Sequence, residues 1–411
     1  MAKKPVKSVP DYDVVIIGGG HAGCTMAALL GQNGMRVACL DRDSRESVLD
    51  ALFDGRTTAI SYASMQILEK AGVWKALSPL ACPILDIRIT ENDSPVLLDF
   101  PLDEAGAPAF GWVVENRDFR RVLFDHLKAI KTVDHIAPAR AVSFETGDDR
   151  VTASLEDGTT LTAPLMIGAD GRQSSVRAWM GIETRGWSYK QKAVVCMIEH
   201  ENPHKNVAWE NFRGSGPLAI LPVNDDAKGR HRSTLVWTEE AQAKTSIAGW
   251  DENIFNAALN ERIPDHYGAA RAAGPRFSYP LSLSHAHRYV AKRTALIADA
   301  AHGIHPIAGQ GLNLGFRDIY VLGNLLTDAH KSGDDLGSDV LLKRYEDLRY
   351  KDNMMMAAAT DALNKIFSND SRSLGLARKI GLRLIQRMPA TRKFFMRHAM
   401  GTGGDWKKIA K

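Results

Sequence analysis

The most constraining feature of this chain lies in its first forty residues, where Gly18-x-Gly20-x-x-Gly23 stands between two apolar runs. The run Val14 to Ile17 reads as a buried strand, Ala22 to Leu30 as a small-residue helix that Gly34 ends, and residues 36–40 as a second strand. In such a βαβ unit Gly18 makes the tight turn. Gly20 lets a pyrophosphate touch the backbone, and Gly23 lets helix and strand pack closely. The helix N-terminus adds free N–H groups and a positive dipole end for phosphates. Asp41 ends the second strand, eighteen residues past Gly23. An acid there accepts from a ribose hydroxyl and disfavours a 2′-phosphate. The chain is therefore expected to open on a dinucleotide-binding unit.

Two further stretches share one design, an acid at a strand end followed by glycine and a helix. In "GADGRQSSVR" (168–177), Asp170 ends the strand, Gly171 turns, and Ser174 or Ser175 caps a helix. In "LIADAAHGIHPIAGQGLNLG" (296–315), Asp299 ends the strand, Pro306 stiffens the approach, and Gly309 to Gly311 leads into a helix. The pair His302-x-x-His305 resembles half a metal site, but no cysteine, histidine or carboxylate cluster accompanies it, so no metal is expected.

Periodicity predicts a helix over 56–75, strands over 84–100, a helix over 114–130, and a hairpin over 150–161 turning at Asp157-Gly158. Residues 190–285 read as strand-rich and the chain beyond about 338 as helical. Strands at 14–17, 37–40, 165–169 and 295–298 can share one sheet. The expected organisation is a discontinuous dinucleotide-binding domain made of 1–75, 101–189 and 286–337. A β-rich substrate domain would comprise 76–100 and 190–285, and a helical region with a basic tail would follow over 338–411.

With 45% hydrophobic and 24% charged residues the chain has an ordinary globular composition. No uncharged apolar run approaches the ~18 residues of a membrane helix. The N-terminal "MAKKPVKSVP" has no apolar stretch behind it, so no secretory signal is expected. Cys24, Cys39, Cys82 and Cys196 show no C-x-x-C spacing, which fits a reducing, cytoplasmic setting. The net charge of +4 is concentrated: residues 372–411 carry a local +10 and the rest of the chain is acidic. There Leu376, Ile380 and Leu384 fall on one side at helical spacing, with Leu382 away from it, and Lys379, Arg383 and Arg387 lie alongside. Phe394, Phe395 and Trp406 add aromatic bodies. This pattern fits peripheral contact with the inner face of a membrane or a partner protein. Nucleic-acid binding is not expected, because no recognition motif accompanies the charge.

Together "GGGHAG", "LDRD", "GRTTAIS", "VENRDF", "GADGRQSSVR" and "IADAAHGIHPIAGQGLNLGFRD" resemble the group A flavin-dependent aromatic hydroxylases. "AWENFRGSGPLAILP" and "YEDLRYKDNMMMAAATDALNKIF" are similar to the branch that hydroxylates ubiquinone precursors. The resemblance implies an α/β fold like that of para-hydroxybenzoate hydroxylase. A discontinuous Rossmann-like FAD-binding domain would carry an inserted β-sheet substrate domain and C-terminal helices. It implies FAD as cofactor, NAD(P)H or another reductant as donor, and O₂ with a polyprenyl phenol as substrates, hydroxylated through a flavin C4a-hydroperoxide. Other ubiquinone-pathway proteins are implied partners. By the same resemblance Arg56 and Arg117 lie near the FAD phosphates and ribitol, and Asp170-Gly171 touches FAD and helps receive the donor. Asp299 holds the ribitol, and His305 and Pro306 line the flavin ring. The segment Gly309, Gly311, Leu312, Asn313 aims backbone N–H groups at the pyrimidine edge. Two departures stand out: His21 within the glycine loop, and Ala298 where a glycine usually precedes the acid. Different flavin chemistry, of halogenase or prenyl-reductase type, and a non-catalytic FAD-bearing scaffold remain alternatives. No W-x-W-x-I-P segment of the halogenase kind is present.

Overall fold

The computed structural model describes residues 10–50, 56–92, 94–213, 216–305, 309–367 and 381–403. A six-stranded sheet runs in the order Val290–Ala291, Thr294–Leu296, Leu165–Gly168, Val14–Ile17, Val37–Leu40, Val133–Ile136. All neighbours are parallel except the first pair. The four strands expected to share a sheet do so. Their residues are buried on both faces, which explains the continuous apolar runs rather than alternation. Helix His21–Gln32 packs against the helices Asn116–Lys128 and Gln310–Ser332.

The helix expected over 56–75 starts later. Residues Thr57–Ser61 form a strand paired antiparallel with Gly111–Glu115, and Cys82–Ile84 completes this small sheet. Threonine and isoleucine favour the strand, and the helix begins only at Tyr62, where the Ser61 side chain accepts from the Ser64 N–H. The next helix likewise begins at Asn116, because Val113 to Glu115 complete a strand. The hairpin of Val151–Leu155 with Thr160–Ala163 appears as expected.

The second large element is a nine-stranded sheet built mainly from 184–286, joined by Asp86–Glu91, Leu98–Pro101 and His302–Gly303. It is mostly antiparallel and its side chains alternate between two faces. One face, with Val194, Cys196, Trp209, Leu218, Ile220 and Leu235, packs on the helix Glu252–Asn260 through Phe255 and Leu259. The other face, with Ile89, Ala193, Val195, Ala208, Ala219 and Val236, turns toward the parallel-sheet half of the molecule and lines a cavity.

Candidate active site

The glycine loop has the geometry its spacing demands. Gly18 sits at φ +110°, and a Cβ there would come within 2.4 Å of the Ala169 carbonyl oxygen. A Cβ on Gly23 would lie 1.8 Å from the Gly18 oxygen, so both positions are closed to any larger residue. Gly20 is different: nothing lies within 4 Å of where its Cβ would be. It is the N-cap of helix His21–Gln32, and no side chain caps that end. An open, uncapped helix N-terminus one residue wide is the cradle a pyrophosphate requires, and the residues present therefore fit a dinucleotide. Asp41 stands beside this loop, where a Cβ on Gly19 would touch its carboxylate. Burial raises the Asp41 pKa despite the Asp43 N–H that the carboxylate accepts.

The cavity measures about 1260 Å³, larger than most small-molecule sites. One wall is the sheet face described above. A second is formed by Arg56, Thr57, Ala59 and Ser61, with Asp299, His305 and the turn Gly309–Gln310. The remainder comes from Met356 and Leu363 of helix Asp339–Phe367 and from Leu382, Ile385 and Phe395. Gly309, in the left-handed conformation at φ 62°, starts helix Gln310–Ser332 without a side-chain cap. Gly311 is open, as Gly20 is. The Asn313 side chain is occupied: it donates to the carbonyls of Ala59 and Gly309 and accepts from the Ser61 N–H. It thus ties the helix start to the strand Thr57–Ser61.

The turn carrying Asp299 is held from behind. Ala298 adopts φ 52°, a left-handed conformation that disfavours any residue but glycine. The sequence departure at this position therefore acts through the backbone as well as through space. Opposite it stands Gly315, whose Cβ would come within 2.7 Å of the Ala298 methyl. Asp318, fully buried, accepts from the Ala298 N–H at 3.0 Å, from His302 Nε2 at 2.6 Å and from Arg349 Nε at 2.8 Å. Burial pushes the Asp318 carboxyl up, but His302 and Arg349 outweigh it and hold the acid well below the usual carboxylate range. His302 is thus committed to a carboxylate partner. His305 faces the cavity instead, edge-on to Tyr189 at 4.8 Å, and burial lowers its pKa to about 4, leaving the ring neutral. Asp299 itself points into the cavity and pairs with Arg172 at 3.2 Å.

Other expected residues lie apart from one another. The Arg56 guanidinium stands 5.3 Å from the Tyr279 ring centroid, inside the cavity. Arg117 lines a separate polar pocket with Glu115, Arg230, Arg232 and Arg271. It is Arg120, one turn further along the same helix, whose charge reaches Asp41. Ser174 caps the helix Ser175–Trp179 by accepting from the Arg177 N–H, and Asp170 reinforces that end by accepting from the N–H groups of Ser175 and Val176 and from both serine hydroxyls, with Gly171 at φ +82° between them. Pro306 lies outside the described residues. Sequence reasoning missed Arg172, Arg120, Asp318 and Glu210. Arg172 lay inside a quoted motif. Glu210 had a usable signal: it is an acid at a strand position whose neighbours on the same face, Ala208 and Phe212, are apolar.

The geometry agrees with the likeness to known proteins. A profile of the family described as "FAD binding domain" matches residues 11–359. The ubiquinone hydroxylase UbiL of Rhodospirillum rubrum is 44% identical over 390 residues, covering 95% of this chain and 90% of that protein. The 3-demethoxyubiquinol 3-hydroxylase of Escherichia coli is 32% identical over 393 residues, covering 95% and 98%. Among solved structures, p-nitrophenol 4-monooxygenase PnpA of Pseudomonas putida shares the fold with a TM-score of 0.77 at 19% identity, over 97% of this chain and 98% of that one. The chain belongs to the FAD-dependent aromatic-ring hydroxylases, in the branch that holds the ubiquinone hydroxylases.

Proposed function

We propose that this enzyme hydroxylates the ring of a polyprenyl phenol on the way to ubiquinone, using O₂ and electrons from NAD(P)H or another donor. The observation that carries this reading is the cavity, whose sheet wall is mostly apolar across seven strands and whose lining adds Met356, Leu363, Leu382 and Phe395. A small polar phenol needs no such surface, whereas a prenylated one gains roughly 25 cal/mol for each Å² of apolar area it buries.

Bound FAD supplies the oxygen-activating chemistry, delivering one atom of O₂ to an electron-rich ring. The chain would hold it by the open backbone at Gly20, with Asp41 on the adenosine ribose and Arg120 nearby. Asp299 would face the ribitol, and the uncapped start of helix Gln310–Ser332 would stabilise negative charge on the ring system. The apolar walls keep water from the reacting centre. Thr234, buried on the sheet wall, has a hydroxyl that meets no partner among the described residues, and it would orient a substrate oxygen.

The basic C-terminal region supports contact with an anionic bilayer, which would bring a membrane-borne substrate to the cavity. In the described part, Leu384, Met388 and Phe394 are exposed beside Arg383, Arg387 and Lys393. Leu384, on the expected apolar side, faces outward at 56% exposure, and Leu382, expected away from that side, packs into the core. Leu376, Lys379, Ile380 and Trp406 lie outside the described residues. Among the described residues no helix is long and apolar enough to cross a membrane.

The test is hydroxylation of phenols with and without a prenyl tail, read by mass spectrometry. Preference for the tailed substrate is expected, and equal efficiency on small soluble phenols would refute a polyprenyl substrate. Liposome co-sedimentation tests the surface contact: binding should need anionic lipid and fall as salt shortens the Debye length.

A further inference from the structure

Among the described residues, the sheet wall of the cavity carries a single charged side chain. It belongs to Glu210, in the middle of strand Val207–Arg213. Alternation places Glu210 on the cavity face with Ala208 and Phe212. Its register partners on the two neighbouring strands are Ala219 and Ile89, both apolar and both lining the cavity. The other titratable groups facing this space are Arg56, Arg172, Tyr279, Asp299, His305 and His398. Arg172 is taken by Asp299, Arg56 stands against Tyr279, His305 against Tyr189, and His398 Nδ1 donates to the Phe394 carbonyl. Among the described residues the Glu210 carboxyl has neither an ion pair nor a hydrogen bond.

An acid so placed costs stability, because apolar surroundings disfavour its charge and nothing repays it. A leucine would fill this wall better. We propose that Glu210 is a catalytic general base, taking the proton from the phenol hydroxyl of the substrate as its ring is hydroxylated. Burial pushes the Glu210 carboxyl up to about 7, which suits proton transfer near neutral pH. In the step, the phenol O–H bond breaks and its proton passes to a Glu210 oxygen. The electron pair left on the phenol oxygen moves into the ring, and the ring carbon forms its bond to one oxygen of a dioxygen unit that the donor's two electrons have brought to the peroxide level, while the O–O bond breaks and the second oxygen leaves with that bond's electron pair. The hydrogen on that carbon then leaves as a proton, which balances the water made from the second oxygen atom of O₂. The proton on Glu210 returns to the original phenol oxygen, restoring the carboxylate. Glu210 is neither oxidised nor reduced.

This inference rests on the phenol-hydroxylase reading and is separable from it. The experiment compares holoenzyme with the Glu210→Gln variant, which keeps the shape and loses the base. Product by mass spectrometry, H₂O₂ release and FAD content are measured across pH 5.5 to 9 on the order of half-unit steps around the neutral range. The variant should keep its FAD and its donor-driven flavin bleaching, lose roughly 10²-fold or more in hydroxylation rate, and release more H₂O₂. Wild-type hydroxylation should rise with pH through about 7, and the variant should lose that rise. A fluorinated phenol, already ionised in solution, should restore most of the rate to Glu210→Gln. Unchanged coupled turnover with an unchanged pH profile, or failure of the ionised phenol to rescue, would overturn the role of Glu210. Wild-type enzyme that hydroxylates no phenol would instead overturn the reading on which it rests.

Discussion

Two carboxylates in this molecule, Asp318 fully buried and Glu210 half-buried in the wall of the cavity, behave in opposite ways. Asp318 lies behind the Asp299 turn and is enclosed by Ala298 N–H, His302, Arg349 and Asn353, so its charged form is favoured. Glu210 faces an apolar cavity without partners, and its charged form is disfavoured. Burial acts on both in the same direction. What differs is whether donors and cations surround the group once it is buried. The first arrangement makes a rigid support and the second keeps a proton acceptor near neutrality, so the same side-chain chemistry serves structure in one place and reactivity in the other.

The sharpest way to break this contrast is Asp318→Ala. Removing the acid leaves the fully buried Arg349 with Asp352 as its one remaining carboxylate among the described residues and takes from His302 its carboxylate partner, and should destabilise the fold by about 3–5 kcal/mol, read by chemical denaturation. A loss below about 1 kcal/mol would mean that Asp352 suffices for Arg349, and the Asp318 support would not be an electrostatic one.

The pH dependence of stability should carry both groups with opposite sign. Asp318 has a depressed folded pKa, so its contribution is present above the ordinary carboxylate range and is lost as pH falls below it. Glu210 has a raised one, about 7 against an ordinary 4.5, so its cost is absent below about 4.5 and grows as pH rises to 7. That cost is at most on the order of 3 kcal/mol, before allowing for water in the cavity. Denaturation of wild type and Glu210→Gln at pH 4.5 and 8 should differ mainly at pH 8, the variant being the more stable. Parallel curves at both values would remove Glu210 from the comparison.

Asp299 sits between the two, supported by the Asp318 network and pointing into the cavity. Asp299→Ala should weaken FAD by roughly 1.5–3 kcal/mol, the loss of one hydrogen bond involving a charge, measured by equilibrium titration of apoprotein. Unchanged affinity would turn Asp299 into a partner for Arg172 alone. The smallest effect belongs to Ala298→Gly. Glycine relieves the left-handed strain at φ 52° but adds freedom to the unfolded chain, so stability should change by less than about 1 kcal/mol, in the stabilising direction. A loss of more than that in melting experiments would show that the Ala298 methyl packs more favourably against Gly315 than its backbone costs.

Sequence alone determined the nucleotide half of this protein, and the reason is locality. A phosphate is bound by backbone N–H groups that one short segment presents, so Gly18, Gly20, Gly23 and the start at Gly309 are readable from spacing. Asp41 and Asp170 are legible as acids just past a strand because a strand end is also a local event, whereas Asp299 stands in the turn Ala298–Ala300, beyond a strand that ends at Leu296. The helix boundary near 56 was misplaced because β-branched Thr57, Thr58 and Ile60 pair with Gly111–Glu115, some fifty residues away, a contact that no local pattern contains. In the tail, spacing separates Leu384 from Leu382, but only the neighbouring elements decide that Leu382 is the covered one. The cavity was decided by tertiary structure in full. Its sheet wall gathers single residues from strands spread over nearly two hundred positions, and register sets which of each alternating pair faces inward. Glu210 becomes an unpartnered acid in apolar surroundings only when Ile89 and Ala219 close on either side of it, and Asp318 becomes a paired one only when Arg349 arrives from the next helix. The residue types stand in the sequence, but the dielectric and the partners that fix their protonation exist only after the chain has folded.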